Sequence, residues 1–421
     1  MPARWPPLLY FGFAHLCLAT AFALVALDPA GIGGFFYHPR MLAVAHLVTL
    51  GWISGSILGS IYIVGPLAFR MPLPARRGDV AAFAGFAIGV LGMFSHFWMN
   101  SPSGMAWSAG LVALAFTHVA VRVLAGLRAA PVPFEVRLPV GLAFVNLLAA
   151  VALGLSLALN KVAPFLSIRH LDVVFAHAHL AGLGWGTLMV MGAGYRMLPI
   201  LLPAAMPRGS WVHASTVLVE AGVAGLVVGF SSGGAGVPAF ALVAAAGVGV
   251  FLSRVVWMLI HRRPPPTEMR QPDWGTWHAM QALLYLVAAV ALGVALAFSA
   301  ASEASLRLAM AYGVVGLVGF LSQMIVGVEA RVLPLFAWLW GFADCGHTEQ
   351  PSSLHAAPSR TLQALAFYLW TGGVPLLAGG LAMDRSRLVS IGAGVLCVAV
   401  VLALANAAIV LARLWRGGPA R

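Results

Sequence analysis

Apolar residues in this chain fall in long uninterrupted runs rather than in alternation or one-sided stripes. Twelve runs are long enough to cross a hydrocarbon layer: 8–28, 41–67, 81–99, 105–126, 138–159, 171–197, 210–231, 236–260, 276–299, 308–333, 361–381 and 388–414. A helix satisfies its own backbone inside lipid, so each run predicts a spanning helix. The breaks carry Pro, Gly, Ser and Arg, as connections should. A membrane β-barrel is excluded, because its strands alternate apolar and polar residues. The expected fold is all-α: a polytopic membrane protein of twelve transmembrane helices, forming one integral membrane domain over 1–421. The run from Leu8 to Leu27 follows a single basic residue, Arg4. It has the length of a span rather than of a signal-peptide core, so it is expected to stay as the first helix.

Composition removes whole classes of function. The chain is 61% hydrophobic and 9% charged, with mean hydropathy +0.94. A soluble enzyme, a nucleic-acid binder and a disordered scaffold all need more polar surface than this. The net charge of +12 follows the membrane instead. With both termini on one side, 17 basic residues collect there and six on the other, with Arg254 inside the eighth run. The positive-inside rule then puts both termini in the cytoplasm. Lipid is the first expected partner, and nucleic acid is not one. Cys17, Cys345 and Cys397 lie far apart and form no CxxC motif. The longest connection, roughly 334–360, opens with Phe336, Trp338 and Trp340, which suit an interfacial stretch. It also holds Asp344, Cys345, His347 and His355 without a recognised metal-ligand spacing.

An internal repeat organises the runs. His46-Leu-Val-Thr-Leu-Gly-Trp52 in the second matches His179-Leu-Ala-Gly-Leu-Gly-Trp185 in the sixth at five of seven positions, offset 133. Tyr62 with Tyr195 and Pro66 with Pro199 continue the match. A fainter copy in the tenth run is offset a further 135. It pairs Gly184, Met189, Gly192, Arg196, Leu198 and Pro199 with Gly319, Met324, Gly327, Arg331, Leu333 and Pro334. Three pseudo-symmetric four-helix units are expected, about 1–130, 131–265 and 266–421. The third has Val314 where the others have His46 and His179.

The histidines sort by depth. His46, His177 and His179 fall in the outer part of runs that enter from the far side, and His96 near the outer end of the third. Imidazole in hydrocarbon is costly and needs a partner, and as a neutral ligand it suits haem iron or copper. Successive helical residues turn by about 100°, so His177 and His179 diverge by about 200° and serve separate sites. His118, His213 and His278 read as interfacial or hydrogen-bonded histidines. The ladder Gly51, Gly55, Gly59 suits helix packing, or the close approach of a flat macrocycle.

His177-Ala178-His179 with Leu183-Gly184-Trp185, Tyr195 and Pro199 resembles the tenth helix of haem–copper oxidase subunit I, particularly the cbb3-type and nitric-oxide-reductase branch. The chain also resembles NnrS-type membrane proteins in size and histidine-led helices. The resemblance implies that His177 binds a high-spin haem and His179 a low-spin haem. It makes His46 a copper ligand, with His96 near the family's copper-binding pair. An unshifted alignment of the helices makes His46 a haem ligand instead. Implied cofactors are one or two b-type haems, with copper as the further metal at His46 and His96. Implied surroundings are the bacterial inner membrane and other respiratory or electron-transfer subunits.

Departures weigh against full oxidase turnover. The third run lacks the family's tyrosine, the fifth lacks a carboxylate, and no CxxCH is present for covalent haem. The acids within spans are Glu220 and Glu329, with Asp172 at an outer edge. Glu220 reads either as a proton-relay member or as a hydrogen-bonded structural acid. The expectation is a membrane haem protein with a redox or nitric oxide-related role. A non-enzymatic haem or copper carrier, sensor or assembly factor is the alternative, and a transporter with structural histidines the third. Arg169, Arg385 and Arg387 could face haem propionates or simply occupy loops.

Overall fold

A computed structural model describes residues 1–264, 271–344 and 357–415. Among the described residues there is no strand, and twelve helices are long and apolar enough to cross a membrane. We number them α1 (Trp5–Leu27), α2 (Pro39–Leu67), α3 (Arg77–Trp98), α4 (Pro102–Ala129), α5 (Phe134–Val162) and α6 (His170–Leu201). The series continues with α7 (Ser210–Ser231), α8 (Val237–Ile260), α9 (Trp274–Ala297), α10 (Glu303–Asp344), α11 (Arg360–Ala382) and α12 (Ser386–Trp415). An even number of crossings leaves both termini on one face, called here the terminal face.

Nine helices form a closed ring. In order, α1 packs on α3, α3 on α4, α4 on α5, α5 on α7, α7 on α8, α8 on α9, α9 on α11, α11 on α12 and α12 back on α1. Helices α2, α6 and α10 fill the middle, α10 touching both of the others. α2 and α6 are joined by Trp185 Nε1, which donates to Ser54 Oγ at 3.1 Å, and by Arg196 Nε, which donates to the Ala68 carbonyl at 3.2 Å. Each middle helix packs on the ring helices just before and after it in sequence.

The middle helices share a local device. Each carries an eight-residue π-helical segment, Leu47–Ser54, Leu180–Thr187 and Val315–Ser322, at the same offsets of 133 and 135. A π turn is wider than an α turn, and it persists where side chains support it. Here a hydroxyl at the end of each segment donates to the carbonyl five residues earlier. Ser54 reaches Thr49 at 2.9 Å, Thr187 reaches Gly182 at 3.0 Å, and Ser322 reaches Leu317 at 2.6 Å. In the same segments stand the equivalent buried rings Trp52, Trp185 and Phe320. Gly51, Gly184 and Gly319 meet the preceding ring helix. A Cβ added there would lie 2.6 Å from Cys17, 2.8 Å from Asn146 and 2.7 Å from Tyr285. Only glycine allows these helices to approach so closely.

The glycine ladder of α2 is thereby settled. Gly51, Gly55 and Gly59 face Cys17, Ala14 and Tyr10 of α1, so the ladder is filled by helix packing and leaves no room for a macrocycle.

One connection differs from expectation. Pro334 does not end α10, which runs on to Asp344 and takes Phe336, Trp338 and Trp340 into the helix. An internal proline costs one backbone hydrogen bond, but the apolar face beyond it continues and is buried at Phe336 and Ala337. Asp344 then pairs with Arg4 at 2.8 Å, tying the end of α10 to the start of α1. Cys345, His347 and His355 lie outside the described residues. At the terminal face of α3, buried Asp79 is held by Arg122, by His118 Nε2 at 3.0 Å and by the Arg76 backbone N–H at 2.7 Å. His118 is thus a hydrogen-bonded histidine, as expected.

Candidate functional site

His46 lies seven residues into α2 and His177 seven residues into α6, each about 10 Å along its helix from the face opposite the termini. His46 is the last α-helical residue before the first π segment, and His179 holds the same place before the second. Their surroundings repeat as well. His46 Nδ1 bonds the Leu42 carbonyl at 2.7 Å, and His179 Nδ1 bonds the Phe175 carbonyl at 2.8 Å. The His46 ring stacks on Phe97 of α3 with centroids 4.7 Å apart, and the His179 ring lies 5.1 Å from Phe230 of α7. These three pairs of positions, 46 and 179, 42 and 175, and 97 and 230, are related by the offset of 133.

His177 faces the other way. Its Nδ1 bonds the Ala150 carbonyl of α5 at 2.9 Å, and its ring packs over Gly154, where a Cβ would lie 2.8 Å from Cε1. His177 and His179 therefore point at α5 and α7 respectively, which is the divergence that helical geometry demands. His46 lies against α3 and His177 against α5, while His179 lies against α7.

The chemistry of the three rings is the same. A carbonyl oxygen only accepts, so each Nδ1 carries the hydrogen and each Nε2 keeps its lone pair. Among the described residues none of these three Nε2 atoms has a hydrogen-bond partner. This is how metal-binding imidazoles are held: one nitrogen tied to a carbonyl, the ring fixed, the other nitrogen free to ligate. There is also open space at this level. Beside Gly182 and Gly313, on two middle helices, a Cβ would meet nothing within 4 Å.

His96 is placed differently from its expected partner. Phe97, not His96, stacks on His46, so the last turn of α3 sits at the level of His46. The His96 ring turns to α4, where a Cβ on Gly104 would lie 2.1 Å from it, and its buried Nδ1 has no partner. Among the described residues no group of three His, Cys, Asp or Glu side chains could hold a metal ion.

The other polar candidates resolve into contacts. Glu220 Oε2 accepts from Asn146 Nδ2 at 2.7 Å, a tie between α7 and α5. Arg169 pairs with Asp172 at 2.8 Å on the outer surface. Arg40 pairs with Asp28 at 2.9 Å and lies over the Trp98 ring. His170, first in α6, bonds the Tyr37 hydroxyl, and Lys161 lies 5.3 Å from the Tyr37 ring.

Two histidines acquire a different meaning. His278, near the start of α9, is buried among its neighbours, and its Nδ1 has no hydrogen-bond partner. His15, in the middle of α1, was not singled out by its sequence context. It lies 3.7 Å from Glu329 of α10, both almost fully buried, with its ring edge against Trp52. The available signal was a titratable residue in the middle of an apolar run, which marks function or pairing by default. The chain matches no protein-family model and no curated protein.

Proposed function

We propose that this chain is an integral membrane haem protein of haem–copper-oxidase-like organisation, built from three pseudo-symmetric four-helix units. His177 and His46 would hold a b-type haem between α2 and α6, and His179 would serve a second site toward α7. The observation that carries this reading is the shared state of the three imidazoles, each with Nδ1 fixed to a carbonyl and Nε2 free. The recurrence of the His–Phe pair at one offset supports two related sites rather than incidental packing.

A bound haem would supply one-electron chemistry and, where His179 alone holds it, binding of a small diatomic such as nitric oxide. The protein's part is to fix the rings of His46, His177 and His179, to exclude water with Phe97 and Phe230, and to separate the two sites by one helix. We favour electron transfer or diatomic binding, in a carrier or sensor role, over oxidase turnover, since the third apolar run carries no tyrosine and the fifth no carboxylate. His46 is read as a haem ligand, since His96 turns to α4 instead of joining it in a copper pair. We place the protein in the bacterial inner membrane with both termini cytoplasmic, on the 17-to-six split of basic residues.

An absorption spectrum of protein purified after expression with haem supply tests the reading. A Soret band that sharpens on reduction is expected. Colourless, metal-free protein would overturn it.

A further inference from the structure

On the other half of the bundle, remote from these histidines, α1, α9, α10, α11 and α12 enclose a cavity of about 50 Å³. Its walls include His15, His278, Glu329, Gln363 and Asn406 among apolar side chains. His15 Nε2 is 3.7 Å from Glu329 Oε2, with the two side chains 3% and 8% exposed. His15 Nδ1 is spent on the Phe11 carbonyl at 2.9 Å, so Nε2 is the atom that faces the acid. Glu329 Oε1 and His278 Nδ1 are buried in the wall without a hydrogen-bond partner. Buried polar atoms are left unpaired in a protein interior only where water or a ligand completes them. The polar side chains stand in an otherwise apolar wall, and the space is roomy enough for a few waters. Trp274 opens α9 and Gln363 lies in the first turn of α11, so the walls extend to the terminal face.

We propose that Glu329, His15 and His278 form a hydrated proton-binding site filled from the terminal face. Glu329 Oε2 faces His15 Nε2, so one proton held between them leaves the pair without net charge in the low-dielectric interior. A second proton, delivered through cavity water against His278 Nδ1, binds at Glu329 Oε1. No covalent bond changes; the proton comes from water on the terminal face and returns there. The groups around Glu329 fit a proton rather than a metal ion. His15 from α1 and His278 from α9 are the titratable neighbours on the cavity wall, and α11 and α12 contribute only the amides Gln363 and Asn406. α2, which packs on α10, contributes no side chain to the wall. Among the described residues no metal-holding group of three is present. The site joins His15 of α1 to Glu329 and His278 of α10 and α9, and it stands whether or not haem binds elsewhere.

Infrared difference spectroscopy on the full-length protein tests this. Acidification should raise the C=O band of a protonated buried carboxylic acid, lost in Glu329→Gln and kept in Glu220→Gln. In D₂O the wild-type band should shift within the mixing time. Ala403→Leu or Ala366→Leu fills the cavity without removing the acid, and should keep the band and slow its shift several-fold. A titrating band that survives Glu329→Gln would overturn the proposal. So would a wild-type band that exchanges no faster than that of Ala403→Leu, a comparison that holds even if Glu329→Gln fails to fold.

Discussion

An imidazole tied by Nδ1 to a carbonyl is a fixed ligand, and three of them set the residue-scale expectations. On the proposed assignment His46 and His177 hold one haem, so His46→Ala and His177→Ala should alter the same spectral component of the haem-loaded protein. His179→Ala should alter a different one, because its ring faces α7. Reduced-minus-oxidised and carbon monoxide difference spectra of the three variants check this, and one common phenotype would mean that the rings serve packing. Asp79 supplies a separate residue-scale test. It is fully buried and holds Arg122 and His118. Asp79→Ala leaves a nearly buried guanidinium unpaired, at a cost of about 3 kcal/mol. A clear drop in the detergent unfolding temperature is expected, with the haem spectrum unchanged.

At the scale of elements, the π segments hold the middle helices in register. The hydroxyls of Ser54, Thr187 and Ser322 each take a carbonyl that the wide turn exposes, worth about 1 kcal/mol apiece. The glycines beside them matter more. Gly51→Leu, Gly184→Leu and Gly319→Leu would each drive a side chain into a ring helix already in contact. Overpacking of this kind costs about 1–3 kcal/mol, with helix separation as the other way out. Gly182→Ala and Gly313→Ala enter open space and should be tolerated. Thermal stability by fluorescence-detected size exclusion separates the two groups, and equal loss in both would show that the contacts are not tight.

For the whole molecule, ring closure depends on the first and last helices meeting. Ser390 of α12 donates to the Ala26 carbonyl of α1 at 2.7 Å, near the face opposite the termini. The Arg4–Asp344 pair closes the terminal face. Removing α12 should therefore leave an open ring that fails to purify as a monodisperse species. Sidedness is tested by reporters. Insertions at 130–133 and at 203–208 should read the same side as both termini, and insertions at 99–101 and at 232–236 the other. A reporter at 130–133 facing away from the N-terminus would break the count of crossings.

Much of this was legible along the chain because hydrocarbon imposes a simple rule. A run must be long and apolar enough to satisfy its backbone alone, so twelve crossings follow from composition over short windows, without knowledge of neighbours. The repeat was legible for a related reason: equivalent helices meet equivalent neighbours, so His, Gly and Trp recur at one offset. The divergence of His177 and His179 is fixed by helical pitch. What a single sequence withholds is which faces meet. Pro334 looks like a stop, yet the apolar face beyond it has α12 to pack against and Asp344 has Arg4 to pair with, and the helix goes on. His96 and Phe97 are adjacent, and only the packing of α3 between α2 and α4 decided that Phe97 meets His46. His15, His278 and Glu329 lie 314 positions apart from first to last, on three helices. Only closure of the ring, which brings α1 against α10 and α12, makes them one buried site.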